Sequence, residues 1–365
     1  MKPYTGGAYE TIVCDWHLGQ WGAERVVANL SNQFANDGHE VSILTIFSGH
    51  RDYALDQRVT LYGAYDESAS RGLRTVRRFR SIRKQIKAIQ PDVVISFLAD
   101  VNLYVILSLL GLRQTLVVSE RNDPGNDPAQ PWMRALRNRL YARVNGIVFQ
   151  TGDAKAYFRE LLPQRVRTAV IPNPLAGGLP LFQPDDTNQH FIVASRLNKQ
   201  KNLPMIVDAM RTLVPKYPDC KVSIFGEGPE KDPLSELIHA NHLEDHIMLK
   251  GFEKNIHEHM RHACALLISS DYEGISNSML EALGIGLPVI STDCPVGGAR
   301  MFIRHGVNGY LIPCGDSAAL ADAMQTVLTE HTVANRYEAN ARAIRDTLSI
   351  TTVAQQWYDF LRQTV

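Results

Sequence analysis

Apolar, β-rich runs alternate with segments of helical periodicity along the chain, and the alternation is interrupted once and then starts again. Before the interruption, Thr11–Asp15, His39–Ile46, Asp92–Phe97, Thr115–Ser119, Gly146–Gln150 and Thr168–Ile171 read as strands, with helices over Ala23–Asn36, Leu73–Ile89, Trp132–Ala142 and Asp153–Leu161. Most of these strands are continuously apolar, as parallel strands covered on both faces are. The break runs from Pro172 to Pro180 and on through polar Gln183–Gln189; its prolines and glycines continue neither kind of element. Beyond it, strands are expected at His190–Ala194, Lys221–Phe225, His246–Leu249, Ala265–Ser269, Pro288–Ser291 and Tyr310–Ile312. Helices are expected at Leu203–Val214, Leu234–Asn241, Ile256–His262, Ser278–Leu283 and Ser317–Thr329, and near Asn335–Thr347 and Thr352–Arg362.

This pattern predicts an α/β protein of two doubly wound, parallel-sheet, Rossmann-like domains. The expected domains are residues 1–178 and 190–348, with a last helix in 349–365. In such sheets ligands bind outside the carboxyl ends of the strands, so a cleft between the domains would face both sets of ends.

Charge narrows the partners. Lysine plus arginine and aspartate plus glutamate each total 38, so a nucleic-acid binder working by bulk positive charge is not expected. The balance conceals an excess of six positive charges through residue 180 and an equal negative excess after it, so the first half is expected to face something anionic. The five cysteines are odd in number and include no C-x-x-C pair, which fits buried thiols in a reducing compartment. Met1–Glu10 has no apolar core of a signal peptide, and the most apolar run, Leu103–Leu112, has ten residues where a span needs about 20. A soluble, cytoplasmic protein able to sit on a membrane surface is expected.

Two strand-end segments carry candidate chemistry. In Ser269–Ile290 a strand ends in a turn with Glu273-Gly274, and a helix follows with Ser276 or Asn277 as N-cap. A helix N-terminus offers amides to a phosphate, and carboxylates beside it can accept from sugar hydroxyls. Glu281 follows Glu273 by eight positions; capping and solvation would be its bland explanation. In Ala194–Leu203, Arg196 and Lys201 leave a strand five residues apart and could aim a guanidinium and an ammonium at a diphosphate. Phe225-Gly226-Glu227-Gly228-Pro229 is a third such loop, and its glycines permit close backbone approach.

Together these segments resemble the retaining glycosyltransferases of family four, which have the GT-B fold, and the resemblance covers essentially the whole chain. Glu273 and Glu281 stand as the Glu-x7-Glu signature, and Arg196 and Lys201 as the diphosphate clamp. The early glycine loop stands as Gly19-Gln20-Trp21-Gly22, with Gly226-Glu227-Gly228-Pro229, Gly309–Pro313 and Pro172-Asn173-Pro174 in the family's order. The resemblance implies a nucleotide-sugar donor, UDP favoured, with no metal and no cofactor. Donor contacts would come from Gly19, Gly22, Arg196, Lys201, Gly226, Phe252, Glu273, Gly274, Ile275, Ser276, Asn277 and Glu281. Arg196 and Lys201 would neutralise the leaving diphosphate, Glu273 would contact the transferred sugar, Glu281 would take the ribose hydroxyls, and the base would lie against Gly251–Asn255. The first domain would bind the acceptor, and the last helix would cross back to it. Three positions depart from the family pattern. Ser195 replaces a glycine, Met301 follows Arg300 where an acidic residue is common, and Arg121 stands where many relatives place a histidine near the acceptor.

Arg71–Lys87 holds eight cations and no anion, on a helix whose Leu73, Val76, Phe79, Ile82 and Ile86 recur at helical spacing. Like charges at this density repel unless something anionic offsets them. Arg134, Arg137, Arg139 and Arg143 add a second basic helix. The expected acceptor is therefore a polyprenyl-diphosphate-linked glycan at an anionic membrane surface, on the inner face of the plasma membrane. The candidate contacts are Arg74, Arg77, Arg80, Arg83, Lys84, Glu120 and Arg121. Transfer to a soluble acceptor, a non-catalytic nucleotide-sugar-binding protein and a nucleotide-sugar epimerase are the competing readings. The run His257–His262 lacks the H-E-x-x-H spacing, and no cysteine pairs with it, so it reads as structural or surface. Trp16 and Trp21, beside the glycine loop, read as packing residues.

Overall fold

The computed structural model describes residues 9–15, 22–47, 53–64, 71–183, 185, 187–329 and 334–365. Gly19 and the residues around it, Trp16 and Trp21 included, lie outside these. The chain forms two compact units, one of Met1–Pro174 with Ile350–Val365 and one of Leu175–Ser349.

The first unit is built on seven parallel strands: β1 (Glu10–Asp15), β2 (Glu40–Thr45), β3 (Thr60–Gly63), β4 (Val93–Phe97), β5 (Leu116–Glu120), β6 (Gly146–Phe149) and β7 (Arg167–Val170). Their order is β3-β2-β1-β4-β5-β6-β7. Every residue of β4, β5 and β6 is buried, which is why these stretches are mostly apolar in sequence, with Ser96, Ser119 and Glu120 as the polar members. Sequence periodicity does not anticipate two elements. Strand β3 is a four-residue edge strand, mostly exposed, with no apolar alternation to reveal it. Helix Ala99–Leu109 fills most of the most apolar run; it is buried nearly all round and so lacks the polar face that marks an amphipathic helix.

The helix Ile350–Thr364 completes this unit. Trp357 is fully buried and meets Phe97 with ring centroids 5.6 Å apart, while Tyr358 packs on Phe34 at 5.0 Å and donates to Asp37 Oδ2 at 2.9 Å. A Cβ on Gly146 would stand 2.8 Å from Phe360 Cζ, so glycine there lets the helix lie close to β6.

The second unit repeats the scheme with six parallel strands: β8 (His190–Ala194), β9 (Lys221–Phe225), β10 (Ile247–Gly251), β11 (Leu266–Ile268), β12 (Val289–Thr292) and β13 (Gly309–Ile312). Their order is β10-β9-β8-β11-β12-β13. One core packs helix Pro204–Leu213 and helix Ser317–Thr329 on the sheet through Ile206, Met210, Leu320 and Met324. Another surrounds helix Asn277–Ile285 through Met279, Leu280 and Leu283. Among the described residues, no helix is long and apolar enough to cross a membrane.

Candidate active site

In the second unit the strand order reverses between β8 and β11, which are neighbours. Crossovers leave such a pair in opposite directions, and a binding crevice opens outside its carboxyl ends. The two strongest sequence segments leave these two strands. Ser195–Asn202 follows β8, and Ser269–Asn277 follows β11. The fold therefore brings together residues 72 apart in sequence: Lys201 Nζ donates to Glu273 Oε2, with side-chain exposures of 12% and 19%.

Backbone and side-chain bonds fix this meeting. Asp271 N donates to Gln200 O at 2.9 Å, Gln200 Nε2 to Tyr272 O at 2.7 Å, and Ser269 Oγ to Lys201 O at 2.7 Å. Asn202, in the left-handed region at φ 43°, donates from Nδ2 to Asp271 Oδ1 at 2.7 Å. Ser270 Oγ donates to the same Glu273 Oε2 at 3.2 Å. The Glu273 carboxylate is thus oriented by two donors. The Lys201 ammonium has three N–H groups, and this bond uses one of them. Arg196 is exposed at the end of β8.

Gly226 and Gly228 hold this loop against the sheet. Leu197 N donates to Glu227 O at 3.0 Å and Ser195 N to Phe225 O at 3.1 Å. A Cβ on Gly226 would stand 1.8 Å from Ser195 O, at φ 143°, and one on Gly228 would stand 2.2 Å from Leu197 O. Gly226→Ala is therefore expected to destabilise the protein by about 3 kcal/mol, combining overpacking with an unfavourable backbone conformation. The midpoint of urea unfolding measures this; an unchanged midpoint would contradict the close approach.

Helix Asn277–Ile285 begins at Ser276, whose Oγ accepts from Met279 N at 3.4 Å. Its positive dipole end thus points from the segment after β11, beside buried Gly274 and Ile275. Glu281 lies in the second turn and is 3% exposed. It is not the solvated residue that its place on a helix suggests: it takes a hydrogen bond of 2.9 Å with His257 Nε2 from helix Ile256–Met260. A buried carboxylate needs such a partner. Sequence reasoning missed His257 in this role, because nothing in the spacing links residues 24 apart on different helices. Among the described residues no cluster of histidine, cysteine and acidic side chains forms a metal site. Phe252, after β10, exposes half of its surface.

A second element escaped the sequence reading. A Cβ on Gly298 would stand 1.8 Å from Gly274 O, so the loop after β12 presses on the Glu273-Gly274 turn. In this loop Val296 has φ 76°, an outlier for a β-branched residue. Such strain concentrates at functional sites. The only advance sign is the run Pro295-Val296-Gly297-Gly298.

In the first unit the expected acceptor residues divide. Arg83 Nη1 donates to Ser108 O at 2.9 Å and Leu110 O at 2.8 Å, so it ends helix Ala99–Leu109. Glu120 is buried at the end of β5, accepts from Tyr141 Oη at 2.8 Å and lies 3.9 Å from Arg137, whose side chain is also fully buried. Burial pushes its pKa up to about 7 against the pull of Arg137. Both residues have internal partners. Arg121 lies behind the end of β5, 9% exposed. On helix Arg71–Ile89, Arg77, Arg80 and Lys84 are exposed and Arg74 is half-buried. Ile82 and Ile86 bury their side chains, but Leu73 and Val76 are exposed at 53% and 44%. The apolar stripe therefore reaches the surface in its first half, beside the cations. Gly22 opens helix Gly22–Asn36.

Comparison with known proteins bears on the family and the fold. Residues 182–344 match the family described as Glycosyl transferases group 1, and residues 22–175 match Glycosyltransferase Family 4. A curated relative from Campylobacter jejuni is 24% identical over 95% of this chain and 96% of its own length. It is the GalNAc-alpha-(1->4)-GalNAc-alpha-(1->3)-diNAcBac-PP-undecaprenol alpha-1,4-N-acetyl-D-galactosaminyltransferase. An uncharacterized glycosyltransferase of Methanocaldococcus jannaschii, MJ1059, is 27% identical over 61% of this chain, which spans 60% of that relative's length. Among solved structures, Anabaena HepE in complex with UDP and glucose superposes with a TM-score of 0.82 at 20% identity, over 97% of this chain and 99% of the other. The sucrose-phosphate synthase of Thermosynechococcus elongatus gives 0.84 at 16% identity, over 97% and 98%.

Proposed function

The chain belongs to the glycosyltransferases of the GT-B fold, and from that premise we propose that it moves a hexose or N-acetylhexosamine from a nucleotide sugar, UDP favoured, to a polyprenyl-diphosphate-linked glycan. Transfer proceeds with retention at the anomeric carbon and without a metal. The observation that carries the reading is the meeting of Lys201 and Glu273 outside β8 and β11, with Arg196 on the same loop.

Arg196 and Lys201 bind the diphosphate. The C1–O bond to it breaks, and its electron pair leaves with a phosphate whose charge these cations neutralise. The acceptor hydroxyl bonds to C1 from the same face, and its proton goes to the departing diphosphate. Glu273 holds the transferred sugar, with the amides of Gly274–Asn277 beside it. Fixed cations and helix amides stabilise developing charge without reorganising, which is the largest single contribution in most enzymes. Glu281 takes the ribose hydroxyls, and Phe252 offers an apolar surface to the base.

The lipid-linked acceptor is supported by the cations of helix Arg71–Ile89, by the exposed Leu73 and Val76 beside them, and by the undecaprenol-linked substrate in the Campylobacter relative's name. A basic face with apolar residues suits an anionic bilayer, and this supports a seat at the inner face of the plasma membrane. Changing Arg77, Arg80 and Lys84 together to Ser is expected to weaken binding to anionic liposomes by about 1 kcal/mol per cation, and to lower transfer to a polyprenyl-linked acceptor. Donor binding is expected to survive, because the clamp is in the other unit. Wild-type liposome binding should fall as salt rises. Unchanged liposome binding and unchanged kinetics in the triple variant would instead move a soluble acceptor to first place.

A further inference from the structure

Arg121 is held as a ligand-binding group is held, yet two of its nitrogens have no hydrogen-bond partner among the described residues. It follows β5, at the carboxyl end of the first sheet, two strands from β1 and one from β4, between which the strand order reverses. Its guanidinium carbon lies 4.6 Å from the Phe97 ring centroid and 5.9 Å from that of Trp357, two buried core residues. Nη1 donates to Asn173 Oδ1 at 2.7 Å, and the same oxygen accepts from Gln150 Nε2 at 2.9 Å. The side chain is therefore fixed on one face and at one end. Nε and Nη2 are buried, and among the described residues neither has a hydrogen-bond partner.

These two nitrogens form one side of the guanidinium. Their N–H groups are parallel, the fork that grips two oxygens of a carboxylate or phosphate at once. Burial draws the Arg121 pKa down to about 9, with the Asp15 charge opposing the fall, so the group remains a cation at neutral pH. Arginine supplies donors only and can be satisfied only by acceptors. A buried cation with an unused, preoriented fork, at the end of the sheet where ligands bind, calls for an oxyanion.

We infer that Arg121 grips an oxyanion of the substrate, a sugar carboxylate or a phosphate, in a bidentate pair. The enzyme would then handle an acidic sugar, or seat a phosphate in its first unit. This rests on the transferase reading above for the ligand's being a substrate, but not on the assignment of the clamp in the second unit.

The test uses the full chain carrying Arg196→Ala and Lys201→Ala, so that the proposed clamp no longer competes for anions. Glucuronate, glucose and inorganic phosphate are titrated by ligand-observed NMR, with and without Arg121→Gln or Arg121→Lys. Glucuronate or phosphate is expected to bind at least tenfold more tightly than glucose. The preference should vanish in Arg121→Gln and fall about tenfold in Arg121→Lys, which keeps the charge and loses the fork. Glucuronate as the tighter probe assigns a sugar carboxylate, and phosphate as the tighter probe assigns a phosphate group. Equal binding of all three probes, or an anion preference that survives both substitutions, overturns the inference. If Arg121→Gln does not fold, the preference of the clamp double variant with Arg121 intact and that of Arg121→Lys still decide. UDP binding by the clamp double variant, measured alongside, reports on the clamp separately: unchanged affinity there counts against the donor assignment and not against Arg121.

Discussion

Arg196→Ala and Lys201→Ala are each expected to lower turnover about 100-fold or more, with the fold intact. Each removes a charge-assisted bond to the diphosphate, and the loss of one preorganised donor has effects of this size. The two positions differ in side effects. Lys201 is 12% exposed and bonded to Glu273, so its removal also frees the carboxylate that it orients. Arg196 is exposed on its loop. Lys201→Ala is therefore expected to melt below wild type, because it leaves a partly buried Glu273 without its cation. Steady-state kinetics with thermal unfolding of each variant measures both. Near-normal turnover in both folded variants would end the clamp assignment.

The glutamates are expected to separate. Glu281→Gln should raise the dissociation constant of the free nucleoside diphosphate about tenfold or more, because a charge-assisted bond to ribose contributes on the order of 2 kcal/mol. Glu273→Gln should leave that constant within about twofold and lower turnover about 100-fold. Geometry sharpens this expectation. Glu281 is buried against His257, so the neutral amide must also satisfy the imidazole. Glu273 faces Lys201 and Ser270 beside the turn at Gly274. Calorimetric titration of both variants with the diphosphate decides the matter. Equal weakening in both would contradict the division of roles.

The sheets were readable because parallel strands buried on both faces are largely apolar, as in Val93–Ile95 and Leu116–Val118. The crevice in the second unit was readable for a related reason: its residues follow strand ends directly and are flanked by glycines such as Gly226 that only a close approach explains. Helix Ala99–Leu109 was hidden because burial on nearly every side erases periodicity. Residues that meet across the fold without a pattern were hidden too. His257 reaches Glu281 from another helix, Arg83 ends a neighbouring helix, and Gly298 presses on Gly274. The basic run was legible as charge, but not in its division into Arg83, turned onto carbonyls, and Arg80 and Lys84, exposed at the surface.

The central claim is that this protein breaks a nucleotide-sugar bond for the benefit of an acceptor. The direct measurement is release of nucleoside diphosphate from a panel of UDP-sugars, in the presence of chelator, with and without a polyprenyl-diphosphate-linked glycan. The account predicts release from at least one donor that depends on the acceptor, persists with chelator, and is lost in Lys201→Ala. No release from any donor with the acceptor present, or release that disappears with chelator, would contradict it.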